Sequence, residues 1–146
     1  MSYQSACTIS LPILSAAADI PARRFATFKA INGVALPGSA GEPAAIVGIT
    51  AESYDHSQAS AGLGSTTVAV ARLDGAVLEV EAGEALTVGQ AVIAGDDGRA
   101  MAATTVAGPN LTAGPHQVVG IVKAPASAAG VVAEIISIRG QVLTLA

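Results

Sequence analysis

The sequence predicts an all-β protein, and three observations support this class. Apolar residues recur with a period nearer two than 3.6 in most of the apolar runs, as they do in half-buried strands. The chain of 146 residues holds 16 Gly and seven Pro, which divide it into short segments typical of strands joined by tight turns. The apolar segments are rich in Val and Ile, whose branched side chains favour strands. At this length we expect a single body, either a small β-barrel or a β-sandwich.

The first 22 residues are expected to form an extended N-terminal arm. They carry several large apolar side chains but no alternating hairpin pattern, so no partner strand is evident within the chain. An apolar segment of this kind often docks on another subunit. The candidate contact residues are Ile9, Leu11, Ile13, Leu14 and Ile20.

The strands of the first half lead to a predicted hairpin. Residues 45–50 have the composition of a buried strand, and residues 66–73 alternate between two faces. Asp74-Gly75 follows, a pair that tolerates the positive φ of a two-residue turn. We therefore expect residues 66–73 and 76–81 to pair with each other.

The second half repeats this style of short strands and turns. Asp96-Asp97-Gly98 is expected to form one turn, and Arg139-Gly140 is expected to close a last hairpin. The predicted strands around these turns are residues 86–94, 99–105, 117–123, 131–138 and 141–145.

The two halves also resemble each other in sequence. The run IVGIT centred on Gly48 resembles VVGIV centred on Gly120, and both are followed by a loop rich in Ala, Ser and Gly. Each loop leads to a β-branched strand that ends in a tight turn, at Gly75 and Gly140. Such self-similarity indicates one body of two related halves. The expected organisation is an arm over residues 1–22 and one β-rich domain over residues 23–146, with similar halves at about 23–81 and 82–146.

Composition and charge exclude several classes of partner. The net charge is −4, charged residues make up only 12% of the chain, and no basic cluster exceeds Arg23-Arg24. Nucleic-acid binding needs many cations to displace counterions from phosphates, so we expect no nucleic-acid partner. No run approaches the roughly 20 apolar residues of a membrane span, and no positively charged region precedes an apolar segment as in a secretory signal. The single Cys7 fits synthesis in a reducing cytoplasm.

No group of residues predicts catalysis, a cofactor or a metal site. Asp55-His56-Ser57 holds the residue types of a triad, but three consecutive residues cannot converge in space as a triad must. Glu79 and Glu81 lie on one face of a predicted strand, where a solvated hairpin surface explains them. We therefore expect a protein that is not an enzyme.

One segment resembles a known family. Residues 82–102 follow the pattern A-G-E-x-L-x-x-G-x-x-V, and Val119-Gly120-Ile121-Val122 comes after it. This arrangement, with an Ala/Gly loop and a final β-branched strand, resembles the capsid decoration, or cement, proteins of tailed bacteriophages. The resemblance implies a structural virion protein that binds the major capsid protein on the outside of the head and stabilises it, commonly as a homotrimer. Two alternatives remain, which are a carbohydrate- or surface-binding module of a virion and a structural tail or baseplate subunit.

Overall fold

The structure, a computed structural model, describes residues 8–12, 19–28, 33–37, 46–55, 62 and 67–146. Within these residues the regular elements are all strands, which confirms the predicted all-β class. The strands are β1 (Thr8–Pro12), β2 (Phe25–Phe28), β3 (Val34–Ala35), β4 (Ile46–Thr50), β5 (Thr67–Arg72), β6 (Val77–Glu81), β7 (Ala91–Ala94), β8 (Ala100–Ala102), β9 (Gly114–Ala124), β10 (Val132–Ser137) and β11 (Val142–Leu145).

The strands form two antiparallel sheets that pack together. The first sheet has the order β1-β5-β4-β2-β3, and the second has the order β6-β10-β9-β7-β8, with β11 also paired to β9. In the described part of the chain neither sheet closes into a barrel. Of the two expected arrangements, the structure is therefore the β-sandwich.

The two sheets are equivalent strand by strand. Strands β1 to β5 and strands β6 to β10 follow the same order, and they also share the same register. Ile9 lies opposite Val70 in the first sheet as Leu78 lies opposite Ile135 in the second. We call residues 8–72 the first unit and residues 77–137 the second unit.

The equivalence extends beyond the strands. Ile20 and Tyr54 exchange two backbone hydrogen bonds of 3.0 and 2.7 Å ahead of the first unit's central strands. Leu86 and Ala126 exchange the same two bonds in the second unit, at 2.9 and 3.1 Å. The two units thus share the same backbone geometry at these positions. The side chains differ, so the sequence does not show this part of the repeat.

A left-handed residue occupies the same place in both units. Arg23 has φ 61° and donates its N–H to Thr50 O, while Gly89 has φ 87° and donates its N–H to Val122 O. Only glycine adopts this conformation without strain. The backbone of Arg23 is therefore slightly strained, whereas that of its equivalent Gly89 is not.

The predicted hairpin at Asp74-Gly75 is wrong. Strand β5 pairs with β1 and β4, whereas β6 pairs with β10 in the other sheet. Gly75 has φ 95° and makes the expected tight bend, but the bend carries the chain between sheets. Local turn chemistry is the same in either case, so it could not decide which strand pairs with which. The strand pairing accordingly places the repeat at residues 8–72 and 77–137 rather than at 23–81 and 82–146.

The predicted hairpin at Arg139-Gly140 is also wrong, because β10 and β11 both pair with β9. Strands β10 and β11 therefore lie one after the other along β9. Between them, Gly140 donates its N–H to Val118 O at 2.8 Å. A Cβ at Gly140 would come within 2.9 Å of Val118 Cβ, so the glycine permits this close approach. The turn predicted at Asp96-Asp97-Gly98, by contrast, joins β7 to its partner β8.

The main core lies between the sheets. One face of the first sheet, with Phe25, Ile49 and Ala71, packs in one buried cluster with Leu78 and Ile135 of the second sheet. The first sheet also buries its opposite face in a separate cluster that includes Ile20, Val34, Val68 and Val70. A third cluster, with Ile93, Leu111 and Leu145, lies under β11 and the segment that follows β8.

Candidate interaction surfaces

The expectation that the N-terminal segment lacks a partner strand is wrong. Strand β1 pairs with β5 along its whole length, from Thr8↔Ala71 to Pro12↔Thr67. This pairing explains the apolar residues Ile9 and Leu11, because alternate side chains of β1 turn toward the protein.

The five candidate contact residues fall into three groups. Ile9 and Leu11 are half-buried on the inner side of β1, and Leu11 packs against the cluster of Val68 and Val70. Ile20 is only 1% exposed, so in this fold it belongs to the core and is not available to a partner. Ile13 and Leu14 lie outside the described residues.

Strand β1 also forms one edge of the first sheet. Among the described residues it has a neighbouring strand only on its β5 side. The side chains of Thr8, Ser10 and Pro12 are exposed. A strand edge of this kind can accept a strand from another chain, although Pro12 has no N–H with which to donate a bond.

Ion pairs join the two units beside this edge. Arg24 Nη2 donates to Glu81 Oε2 at 3.1 Å, and the Arg24 side chain is only 11% exposed. Arg23 Nε donates to Glu79 Oε1 at 3.4 Å in a more exposed position. Glu79 and Glu81 are therefore not a solvated hairpin face, since both bind arginines of the first unit. The backbone adds a direct bond from Glu81 N–H to Arg23 O at 2.9 Å.

The turn before β8 extends this network. Arg99 Nε lies 2.6 Å from Glu81 Oε2, as an ion pair whose geometry is too poor for a hydrogen bond. Asp97 Oδ1 accepts the N–H of Arg99 at 3.0 Å and the Asn110 side-chain amide at 2.8 Å. Arg24 Nη1 donates to Asp97 O at 2.9 Å. The carboxylates here have structural partners, which fits the interpretation of Asp96-Asp97-Gly98 as turn residues.

A buried histidine sits under the second sheet. His116 is fully buried, with Nε2 2.8 Å from Thr112 O and Nδ1 3.3 Å from Ala94 O. Both ring nitrogens therefore face backbone carbonyls rather than a cleft. This arrangement ties β9 to the neighbouring loop and gives the imidazole a structural role.

A cavity of about 370 Å³ opens where the two units meet. Thr8, Ala22, Ile49 and Ala71 of the first unit line one side of it, and Leu78 of β6 lines the other together with Glu79. The lining is mostly small and apolar. Two of its polar groups have partners within the chain, since Glu79 binds Arg23 and the Thr50 hydroxyl donates to Pro21 O.

The outward face of the second sheet carries an exposed apolar surface that the sequence analysis missed. Val77 lies opposite Ile136, and Ile136 lies opposite Ile121, so the three side chains share one face. Ile136 is 41% exposed, Ile121 is 36% exposed, and Val88 nearby on the loop before β7 is 64% exposed. We call Val77, Val88, Ile121 and Ile136 the second-unit patch. The signal was present in the run VVAEIISI, which is apolar on both faces of a strand.

Comparisons with known proteins add no assignment. No family model, curated protein or solved structure matches the chain. In the described residues no helix is long and apolar enough to cross a membrane. The same residues contain no group of three or more His, Cys, Asp or Glu side chains placed to hold a metal ion.

Proposed function

We propose that this protein is a structural virion protein that binds the outer surface of a tailed-phage capsid and stabilises the head without catalysing a reaction. The observation that carries the proposal is the edge position of β1, which leads from the N-terminal segment onto the rim of a charge-poor body. The resemblance of residues 82–102 to capsid decoration proteins supports it.

The residues that carry this resemblance have clear structural tasks. Leu86 is 1% exposed and Val92 is fully buried, while Gly89 supplies the left-handed residue before β7. Ile20, Arg23 and Ala26 hold the equivalent positions in the first unit. The pattern is therefore that of a repeated building unit, as a family defined by its fold rather than by reactive groups would have.

The proposed partner is the major capsid protein, bound on the exterior of the virion after synthesis in the host cytoplasm. A homotrimer is the proposed assembly, with no nucleic acid, membrane or cofactor involved. Many weak contacts to a capsid lattice add up through avidity. The net charge of −4 adds repulsion between decorated particles.

The N-terminal segment is the proposed capsid contact. Ile13 and Leu14 stay predictions, and Ile9 and Leu11 can contribute through their exposed parts, whereas Ile20 is buried. Removing residues 1–22 would also remove β1 and the Ile20–Tyr54 bonds. The double substitution Ile13→Lys and Leu14→Lys changes no residue of a described strand and is the cleaner test of the segment.

The test is co-sedimentation with expanded heads of tailed phages prepared without their own outer proteins. We expect the full chain to sediment with the heads and the chain with Ile13→Lys and Leu14→Lys to lose at least tenfold in affinity. Val106→Lys is the matched control, because Val106 is 64% exposed and far along the chain from the N-terminus; it should bind like the full chain.

Two results would contradict the proposal at different levels. Failure of the full, folded chain to sediment with any such head would overturn the capsid function. Undiminished binding by the chain with Ile13→Lys and Leu14→Lys would move the contact away from the N-terminal segment.

A further inference from the structure

The equivalence of the two units shows that the surface around Ile49 and Ala71 is covered in the first unit, whereas the equivalent surface around Ile121 and Ile136 is open in the second. Thr8, Ala22, Ile49 and Ala71 face β6 across the cavity at the junction of the units. Their equivalents by strand register and backbone bonding are Val77, Val88, Ile121 and Ile136. Ile49 is 2% exposed and Ala71 is 6% exposed, against 36% for Ile121 and 41% for Ile136.

The open surface is also the more apolar of the two. Val77 replaces Thr8, Val88 replaces Ala22 and Ile136 replaces Ala71. A face that remained in water would gain nothing from these larger apolar side chains, whereas burial of apolar area stabilises a contact by about 25 cal/mol per Å². The substitutions are those of a surface that packs against a partner.

The strand that covers the first unit also has an equivalent at the opposite end: β1 is partly open there, whereas Val68 and Val70 on the same face are already buried within the chain. Strand β6 covers the first unit with Leu78, which lines the cavity, and β1 is the equivalent of β6. Ile9 stands where Leu78 stands, and it is half-buried at an edge of the sheet. One end of the molecule thus carries a covering strand, and the other end carries a face to be covered.

We propose that copies of this chain associate head to tail, with β1 of one copy covering the second-unit patch of the next as β6 covers the first unit within the chain. The contact is heterologous, because two different surfaces meet. Such contacts close into a ring when the rotation between neighbouring copies equals a full turn divided by the number of copies. A ring of three chains would contain six equivalent units.

The contact between copies lacks the polar bonds of the internal contact. Gly89 and Gln90 take the places of Arg23 and Arg24. Ser10 and Pro12 take the places of Glu79 and Glu81, and Pro12 cannot donate the bond that Glu81 N–H gives to Arg23 O. The association is therefore weaker than the internal contact and apolar in character. Added salt should strengthen it slightly rather than dissociate it.

The experiment measures self-association of the purified full chain by sedimentation velocity and light scattering over a range of concentrations. We expect an oligomer that dissociates on dilution. We call the end of the molecule that carries β1 its head and the end that carries the second-unit patch its tail. Ile9→Lys alters the head and Ile136→Lys alters the tail. Each should shift the midpoint of association at least tenfold toward higher concentration. Val106→Lys is the control and should associate like the unaltered chain.

Mixing the two variants tests the head-to-tail geometry. The Ile9→Lys chain keeps an intact tail and the Ile136→Lys chain keeps an intact head, so together they should form a one-to-one dimer that does not grow further. If two identical patches met instead, the Ile9→Lys chain alone would still dimerise and the mixture would form no new species. That result would overturn the proposal, as would a full chain that stays monomeric at all concentrations.

Folding of each variant is checked by circular dichroism and urea denaturation. Val88→Lys provides a second tail variant at a loop position that is 64% exposed, should Ile136→Lys fail to fold. Self-association is measured without capsids, so its failure and the failure of capsid binding are separate results.

Discussion

Single glycines set the spacing of the central strands in both units. Gly48 in β4 and Gly120 in β9 occupy equivalent positions. A Cβ on Gly48 would overlap the Ala71 carbonyl oxygen, and a Cβ on Gly120 would lie 2.6 Å from Ile135 Cδ1 and 3.0 Å from Ile136 O. Backbone cannot yield as an isoleucine side chain can, so the two sites differ in tolerance.

Substitution of these glycines gives a graded prediction. Gly48→Ala should lower the free energy of unfolding by about 3 kcal/mol, and Gly120→Ala by about 1–2 kcal/mol, because overpacking forces the surrounding groups to shift. Gly108→Ala is the control, since a Cβ there meets nothing within 4 Å. Urea denaturation measures all three. Equal losses at Gly48 and Gly108 would refute the steric explanation.

At the scale of elements, β11 is the strand that breaks the symmetry of the repeat. It extends the second sheet by pairing with the first residues of β9, from Val142↔Gln117 to Leu145↔Gly114. Leu145 is 2% exposed and belongs to the third apolar cluster. Through Leu145 this strand packs on Ile93, Met101 and Val118 of the second sheet.

Removal of residues 142–146 should therefore destabilise the protein by about 3 kcal/mol or more, the typical effect of losing a large buried aliphatic side chain. Hydrogen exchange of the residue 114–117 amides should become faster, while urea denaturation reports the loss of stability. Val142→Ala is the control, because Val142 is 51% exposed and its truncation should cost less than about 0.5 kcal/mol. Unchanged exchange at residues 114–117 would contradict the role given to β11.

The strands themselves were largely predictable from sequence, but their partners were not. Alternation placed β5 and β6 closely, and the Asp96-Asp97-Gly98 turn was correct because β7 and β8 are joined by few residues. At Asp74-Gly75 the pairing is decided by the packing of whole sheets, which no local pattern records.

The candidate contact residues show the same limit. An apolar residue in a segment without alternation predicts a contact residue at Ile20, yet Ile20 exchanges backbone bonds with Tyr54 and is buried in the core. The run VVAEIISI indicates a strand that is apolar on both faces, but only the strand register places Val77 and Ile121 beside Ile136.

At the scale of the whole molecule, the two units share one core and are not independent. Phe25 and Ile49 of the first unit belong to the same buried cluster as Leu78 and Ile135 of the second. The partly buried pair of Arg24 and Glu81 adds a polar link. Separation of the units would expose this apolar face and leave the Arg24 guanidinium without its partners Glu81 and Asp97.

We therefore expect one cooperative unfolding transition. Calorimetry should give a ratio of calorimetric to van't Hoff enthalpy near one. Ile49→Ala, a change in the first unit, should destabilise by about 2–4 kcal/mol and lower the midpoint for amides of both units together, as followed by NMR in urea. Two separate midpoints would show that the units unfold independently.

The linker between β5 and β6 is short, and its length affects the strength of the contact between the units. Only residues 73–76 join the two strands, and a stretch of that length spans at most about 14 Å. Such a tether holds the two surfaces at an effective local concentration of millimolar or above. The internal contact therefore forms at any dilution, whereas the equivalent contact between chains depends on how densely the chains are gathered, as they would be on a shared surface.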